Sequence, residues 1–222
     1  MEGMGEEPFY IAVEGNIGAG KSTLTRLWGA QLSAQTVFEN FAENPFLPEF
    51  YRNPERMAFQ LEISFLAERF SQLQKAFEKA GLFEPHIVSD YLFAKSFVFA
   101  LNNLGPGEFD LFRRVFDIMN RVLPLPNRMV YIHRDVEYLL TNIRKRGRSY
   151  EQEIRPEYLL NIQNGYFDYL RTVTQIPVIL IDVENYDFEN DARVLAVISE
   201  FVLERNHPPG LQKWQLRDLM AG

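Results

Sequence analysis

Hydrophobic and polar positions along this chain follow two periods in alternation. Short runs rich in β-branched and aromatic residues fall at Phe9–Glu14, Thr36–Glu39, His86–Ser89, Arg128–Ile132 and Val178–Ile181, and each predicts a strand. Between Pro54 and Ala80, Met57, Leu61, Phe65, Leu66, Phe70, Leu73 and Phe77 recur at helical spacing. Pro54 stands near the start of that helix, where a missing N–H costs nothing, and Gly81 follows its end. Further helices are predicted over Lys21–Ser33, Leu92–Asn102, Glu108–Leu123, Val136–Arg146, Pro156–Val173 and Phe188–Arg205, with Gly105-Pro106-Gly107 separating Leu92–Asn102 from Glu108–Leu123. Strands alternating with helices predict an α/β fold, a parallel sheet covered by helices on both faces. No repeat, low-complexity tract or linker interrupts the pattern, so residues 1–222 read as a single domain. Residues 1–8, and 207–222 with their Pro208-Pro209, read as loosely attached termini.

Composition narrows the function classes. A chain of 222 residues can bury a substantial core. It carries 23 Lys and Arg against 30 Asp and Glu, a balance that argues against binding nucleic acid by broad charge attraction. The absence of Cys removes disulfides, thiolate metal sites and cysteine nucleophiles. No targeting signal is read at the N-terminus, and the longest apolar runs fall far short of the roughly 20 residues that span a bilayer, so a cytoplasmic protein with no membrane partner is expected. Aromatic content is high, with 19 Phe and 10 Tyr.

The most specific chemistry lies in Gly15-Asn16-Ile17-Gly18-Ala19-Gly20-Lys21-Ser22, which satisfies G-x-x-x-x-G-K-[ST]. Glycines let such a loop curl around an anion with its backbone N–H groups inward, and the following helix adds its positive end. In that pattern Lys21 reaches the β- and γ-phosphates and the Ser22 hydroxyl ligates Mg²⁺. The loop follows a predicted strand and opens a predicted helix, the context the motif requires. A GTPase reading fails for want of Asp-x-x-Gly and Asn-Lys-x-Asp. A protein-kinase reading of His133-Arg134-Asp135 fails because Leu140 stands where Asn is needed.

The phosphate loop, Glu39 with Glu43-Asn44-Pro45-Phe46-Leu47, Asp90, and Arg144-Lys145-Arg146-Gly147-Arg148 together resemble the deoxyribonucleoside kinases from about Tyr10 to Phe188. The stretch Arg146-Gly147-Arg148, Glu151, Ile154 and Glu157-Tyr158-Leu159 is similar to that family's lid and the helix after it. The resemblance implies a P-loop kinase fold with a five-stranded parallel sheet and an arginine-rich lid, a homodimer, and transfer of the ATP γ-phosphate to a sugar 5′-hydroxyl in nucleotide salvage. It implies ATP contacts at Gly15, Asn16, Gly18, Ala19, Gly20, Lys21, Ser22, Thr23, Arg146, Arg148, Asp187 and Phe188, and Mg²⁺ held by Ser22 and Asp90. Lys21 and Arg146 would act on the phosphates and Glu39 as general base, with Glu43 its rival. Tyr51 and Glu151 match the pair that binds the 3′-hydroxyl. Two positions depart from the family: Tyr91 and Asn142 replace arginines, and Lys95 is a candidate to restore the first charge.

For the base, Glu62 stands where the family carries glutamine, and Arg69 lies two helical turns on. An ionised Glu only accepts hydrogen bonds and Arg only donates them, so amino-bearing bases fit: deoxyadenosine, deoxyguanosine or deoxycytidine. Phe99 is a candidate to stack on the base. Two other readings stay open. A nucleoside-monophosphate kinase of the thymidylate kinase kind shares the loop and lid, and a non-catalytic relative would bind nucleotide without turnover.

Overall fold

The computed structural model describes residues 9–40, 44–80 and 86–221. The sequence readings on Met1–Pro8, Glu43 and Gly81 lie outside them. Among the described residues the sheet has six strands, all parallel, in the order β2-β3-β1-β4-β5-β6. They are β1 (Tyr10–Gly15), β2 (Gln35–Val37), β3 (Ile87–Ser89), β4 (Arg128–His133), β5 (Pro177–Asp182) and β6 (Gly210–Gln215). The helices are α1 (Lys21–Leu32), α2 (Leu47–Arg52), α3 (Pro54–Ala80), α4 (Lys95–Asn103), α5 (Pro106–Asn120), α6 (Val136–Arg146), α7 (Pro156–Thr172), α8 (Ala192–Ser199) and α9 (Leu216–Ala221).

Side chains alternate across the sheet, and the two faces differ in kind. Tyr10, Ala12, Met129, Tyr131, Val178 and Leu180 face a core with α3, α4, α5 and α7 that is crowded with aromatic rings. Phe93 stacks on Phe116 with centroids 5.1 Å apart, and Tyr131 leans on Tyr166 at 5.2 Å. Ile11, Val13, Val130, Ile132, Ile179 and Ile181 face the opposite way, into a mostly aliphatic core with α1, α6 and α8. There the buried Trp28 indole N–H donates to Ser199 Oγ at 2.8 Å, so its one polar atom is satisfied.

Three expectations need correction. The sheet has a sixth strand beyond the five implied, and it comes from a tail expected to hang loose. Residues Gly210–Gln215 pair with the whole of β5 from Pro177 to Asp182, and Leu216 of α9 is fully buried. β6 is an edge strand whose middle residues are only partly covered, so it lacks the apolar run that marks a central strand. The last long helix, expected from Phe188, begins at Ala192, because Asp187 and Asp191 turn the chain first. Asp187 Oδ1 accepts from the Glu189 and Asn190 N–H groups, and Asp191 caps α8 by accepting from Arg193 N at 2.9 Å.

Candidate active site

The loops at the carboxyl ends of the strands enclose a cleft of about 500 Å³, where ligands bind in open parallel sheets. At one end lies the loop between β1 and α1. Gly18 (φ +84°) and Gly20 (φ +98°) adopt the left-handed conformation that glycine tolerates, and each passes close to a neighbour. A Cβ on Gly18 would stand 2.8 Å from the Leu139 carbonyl oxygen, and one on Gly20 2.8 Å from the Phe188 ring. Asn16 is buried beneath the loop and ties it to α7, its Nδ2 donating to Leu159 O at 2.8 Å. Lys21 Nζ donates to Asn16 O at 2.8 Å, closing the loop on itself. Burial, and then repulsion from Lys95, lower the Lys21 ammonium to about 8, so a phosphate in the loop would be welcome to it.

Behind this loop sits a buried charged cluster. Ser22 Oγ donates to Asp90 Oδ2 at 2.5 Å, and Asp90 Oδ1 accepts from the Glu39 N–H at 2.8 Å. Glu39 is gripped on both oxygens. Arg69 Nε donates to Oε1 at 2.7 Å and Arg69 Nη2 to the same atom, while Lys95 Nζ donates to Oε2. Burial alone would raise the Glu39 carboxyl, but the charges of Arg69 and Lys95 outweigh it and hold it at about 2. Asp90 moves the other way, raised by burial and by the neighbouring Glu39 charge. The remaining side of Arg69 is also committed, with Nη1 donating to Ser96 Oγ at 2.7 Å.

The lid follows α6. Arg146 and Arg148 converge on the buried Glu151, Arg146 through Nε at 3.1 Å and Nη2 to Oε2, Arg148 through Nη1 at 3.2 Å to Oε1. Tyr51 lies against Tyr150 in a stacked pair with centroids 6.3 Å apart, and burial pushes its phenol well up. Asn142, where the family arginine was expected, donates from Nδ2 to Gly18 O at 2.8 Å and so fastens the lid helix to the phosphate loop.

The far end of the cleft is walled by Leu47, Phe50, Leu61, Phe65, Phe99 and Tyr158, with Glu62 among them. Glu62 Oε1 accepts from Asn103 Nδ2 at 2.6 Å, and Oε2 has no hydrogen-bond partner. Burial raises its carboxyl to about 7 against the opposing pull of Arg69. Tyr91 takes no part in the cleft. It is fully buried, and its hydroxyl donates to Gln72 Oε1 at 2.8 Å on α3.

Of the residues singled out from sequence, Gly18, Ala19, Gly20, Lys21, Ser22, Thr23, Tyr51, Glu62, Arg69, Phe99, Arg146, Arg148, Glu151, Asp187 and Phe188 line this one cleft. Gly15, Asn16, Glu39 and Asp90 lie behind its wall, each within one contact of a lining residue. Sequence reasoning missed Arg134, the centre residue of the tripeptide whose protein-kinase reading fails. Its guanidinium donates to Ala19 O at 3.3 Å, Glu184 O at 2.7 Å and Tyr186 O at 2.8 Å, and it lies over the rings of Tyr138 and Phe188. It joins the phosphate loop to the segment after β5. A lone basic residue at a strand end carries no sequence signal for that job.

A parallel sheet with this loop after its first strand, and an arginine lid facing it across the cleft, defines a P-loop kinase. Comparison with known proteins makes the class specific. A family model described as deoxynucleoside kinase matches residues 11–204. The deoxyguanosine kinase of Bacillus subtilis is 31% identical over 205 residues, covering 87% of this chain and 98% of the relative. The deoxyadenosine kinase of Dictyostelium discoideum is 33% identical over 182 residues, covering 79% and 73%. Among solved structures, the deoxyadenosine kinase of M. mycoides with dCMP and dCDP bound superposes with a TM-score of 0.72 at 24% identity, covering 89% of this chain and all of the other. The chain belongs to the deoxynucleoside kinase family.

Proposed function

We propose that this enzyme transfers the γ-phosphate of ATP to the 5′-hydroxyl of a deoxyribonucleoside with an amino-bearing base, as a step of nucleotide salvage. The observation that carries the reading is the cleft itself. It runs unbroken from the phosphate loop, past the lid arginines, to an apolar slot ended by Glu62. The acceptor end favours a nucleoside over a nucleoside monophosphate, because the basic groups there, Arg69 and Lys95, are committed to Glu39, and Arg69 to Ser96 as well.

The donor phosphates would take backbone N–H groups of the loop, the start of α1 and the Lys21 ammonium. Ser22 and Asp90 fit a magnesium ion. Their oxygens are paired with each other beside the loop, and among the described residues no group of three His, Asp or Glu side chains forms an all-protein cage. Such an ion, when bound, would neutralise charge on the transferring phosphate. Phosphoryl transfer passes through a loose transition state, so the acceptor loses its proton late and a weak base suffices. Glu39, ionised and held by two cations, keeps one lone pair, on Oε2, to accept that proton and orient the hydroxyl. Arg146 and Arg148 stand ready beside Glu151 to meet charge on the equatorial oxygens. Glu151 accepts from the sugar 3′-hydroxyl together with Tyr51, which links a seated sugar to the arginines that act on the phosphate.

A phosphoryl-transfer assay with ATP and the four deoxynucleosides tests this. Glu39→Gln is expected to lower kcat by at least about 10²-fold, and loss of Lys21 to disable all acceptors equally. Full turnover by Glu39→Gln would remove Glu39 from the mechanism. Faster turnover of deoxynucleoside monophosphates than of deoxynucleosides would replace the reaction itself.

A further inference from the structure

Among the described residues that line the cleft, Glu62 carries the one buried side-chain oxygen without a hydrogen-bond partner. Its other oxygen is fixed by Asn103 Nδ2, which also lies 3.4 Å from the Tyr158 hydroxyl. The carboxyl is thus held at one edge, with Oε2 and the remaining lone pair of Oε1 left for a ligand. An unsatisfied buried oxygen is costly, so the site is built to be completed.

Which edge completes it depends on the proton. An ionised carboxylate accepts two hydrogen bonds side by side, and the adjacent N1–H and 2-amino group of guanine supply two donors side by side. Adenine offers a donor at N6 beside an acceptor at N1, and cytosine a donor at N4 beside an acceptor at N3. An ionised Glu62 would set its negative charge against that ring nitrogen. A protonated Glu62 donates to the ring nitrogen and accepts from the amine. Resting on the kinase reading above, we propose that Glu62, positioned by Asn103, selects the base by its protonation state: ionised for guanine, protonated for adenine or cytosine.

The surroundings allow both states. Arg69 on α3 and Lys95 on α4 favour the ionised form, as does the Asn103 N–H. Burial opposes it, with the Glu39 charge behind β2 adding a smaller push the same way. From α7 the neutral Tyr158 lines the cleft beside the group, and α2 contributes the apolar Leu47 and Phe50 and the Tyr51 phenol, which burial keeps neutral. The balance leaves the carboxyl near 7, where both forms are populated.

The test is the ratio of kcat/KM for deoxyguanosine to that for deoxyadenosine, measured from pH 6 to pH 8. Titration of Lys21 is common to both substrates and cancels in the ratio. The ratio is expected to rise about tenfold per pH unit, the dependence of one proton. Glu62→Gln, a neutral donor and acceptor like the protonated acid, should give a pH-independent ratio fixed at the low, adenine-favouring end. Asn103→Ala removes a donor to the ionised form and should keep the pH dependence but move the point of equal preference to higher pH. Calorimetry in two buffers of different ionisation heat gives an independent reading. Near pH 7, deoxyguanosine should release protons on binding and deoxyadenosine take them up, with neither effect in Glu62→Gln. A wild-type ratio that stays flat with pH while turnover persists overturns the proposal. Failure to phosphorylate any deoxynucleoside at any pH overturns instead the reading it rests on.

Discussion

Glu39 and Lys95 form a pair that the family pattern hides. The arginine expected at position 91 is a tyrosine locked in the core, and the positive charge comes from one turn further along, where Lys95 reaches Glu39 Oε2. Lys95→Met should leave Glu39 with Arg69 alone. Its carboxyl would then rise from about 2, and the acid limb of the kcat profile should move to higher pH. We expect a stability loss of about 2 kcal/mol, the scale of a lost hydrogen bond to a charged group. The sign follows from linkage. Because the folded Glu39 is depressed below its unfolded value of about 4.3, its contribution is complete above that value. It is lost as pH falls towards about 2. Acid denaturation monitored by circular dichroism should therefore begin at higher pH in Lys95→Met. An unchanged acid limb and an unchanged denaturation midpoint would show that Lys95 does not govern Glu39. The replacement at Tyr91 was visible in the sequence. That its hydroxyl serves α3 was not, since that depends on which way a fully buried side chain turns.

At the scale of elements, the phosphate loop and the lid helix α6 are locked together where Gly18 meets Leu139 and Asn142. Gly18→Ala must both hold an alanine at φ +84° and push a Cβ to 2.8 Å from a backbone oxygen. Gly147→Ala, at the carboxyl end of α6, meets the first difficulty (φ +71°) but nothing within 4 Å. The second change should cost about 1 kcal/mol, the left-handed penalty alone. The first should cost about 1–3 kcal/mol and in addition raise the KM for ATP, because the loop must move. Thermal melts and ATP titrations of the two variants separate strain from displacement, and equal KM values in both would refute the lock. These elements were legible in unequal degree. The long helices α3, α6 and α7 declare themselves because a full apolar stripe repeats over three or more turns. The six-residue α2 does not, being too short to show a period, and neither does the half-covered β6. The phosphate loop was plain because its spacing encodes backbone geometry directly. The Asn103–Glu62 contact was not, because 41 residues separate its members and only the packing of α4 against α3 brings them together.

The molecule gathers most of its aromatic residues on one side of the sheet, where rings fill the space between α3, α4, α5 and α7 and wall the base end of the cleft. That side also carries exposed apolar surface. Leu111 and Ile118, two turns apart on one face of α5, and Val122 and Leu125 just beyond its end are each more than half exposed, while Leu101 of α4 and Leu160 of α7 are about half exposed. None of the exposed large apolar residues lies on α3. A homodimer, expected from the family resemblance, would therefore use the stripe on α5 and its neighbours rather than α3. Covering side chains of this size recovers roughly 25 cal/mol for each Å² of apolar surface, so a stripe of this kind, doubled by two-fold symmetry, is a natural seam. Paired carboxylates at its centre, Ile118→Glu with Val122→Glu, should yield monomers in sedimentation velocity and leave the cleft residues and the ATP affinity unchanged. If the wild type sediments as a monomer at micromolar concentration, or if the double variant stays dimeric, the seam is elsewhere or absent.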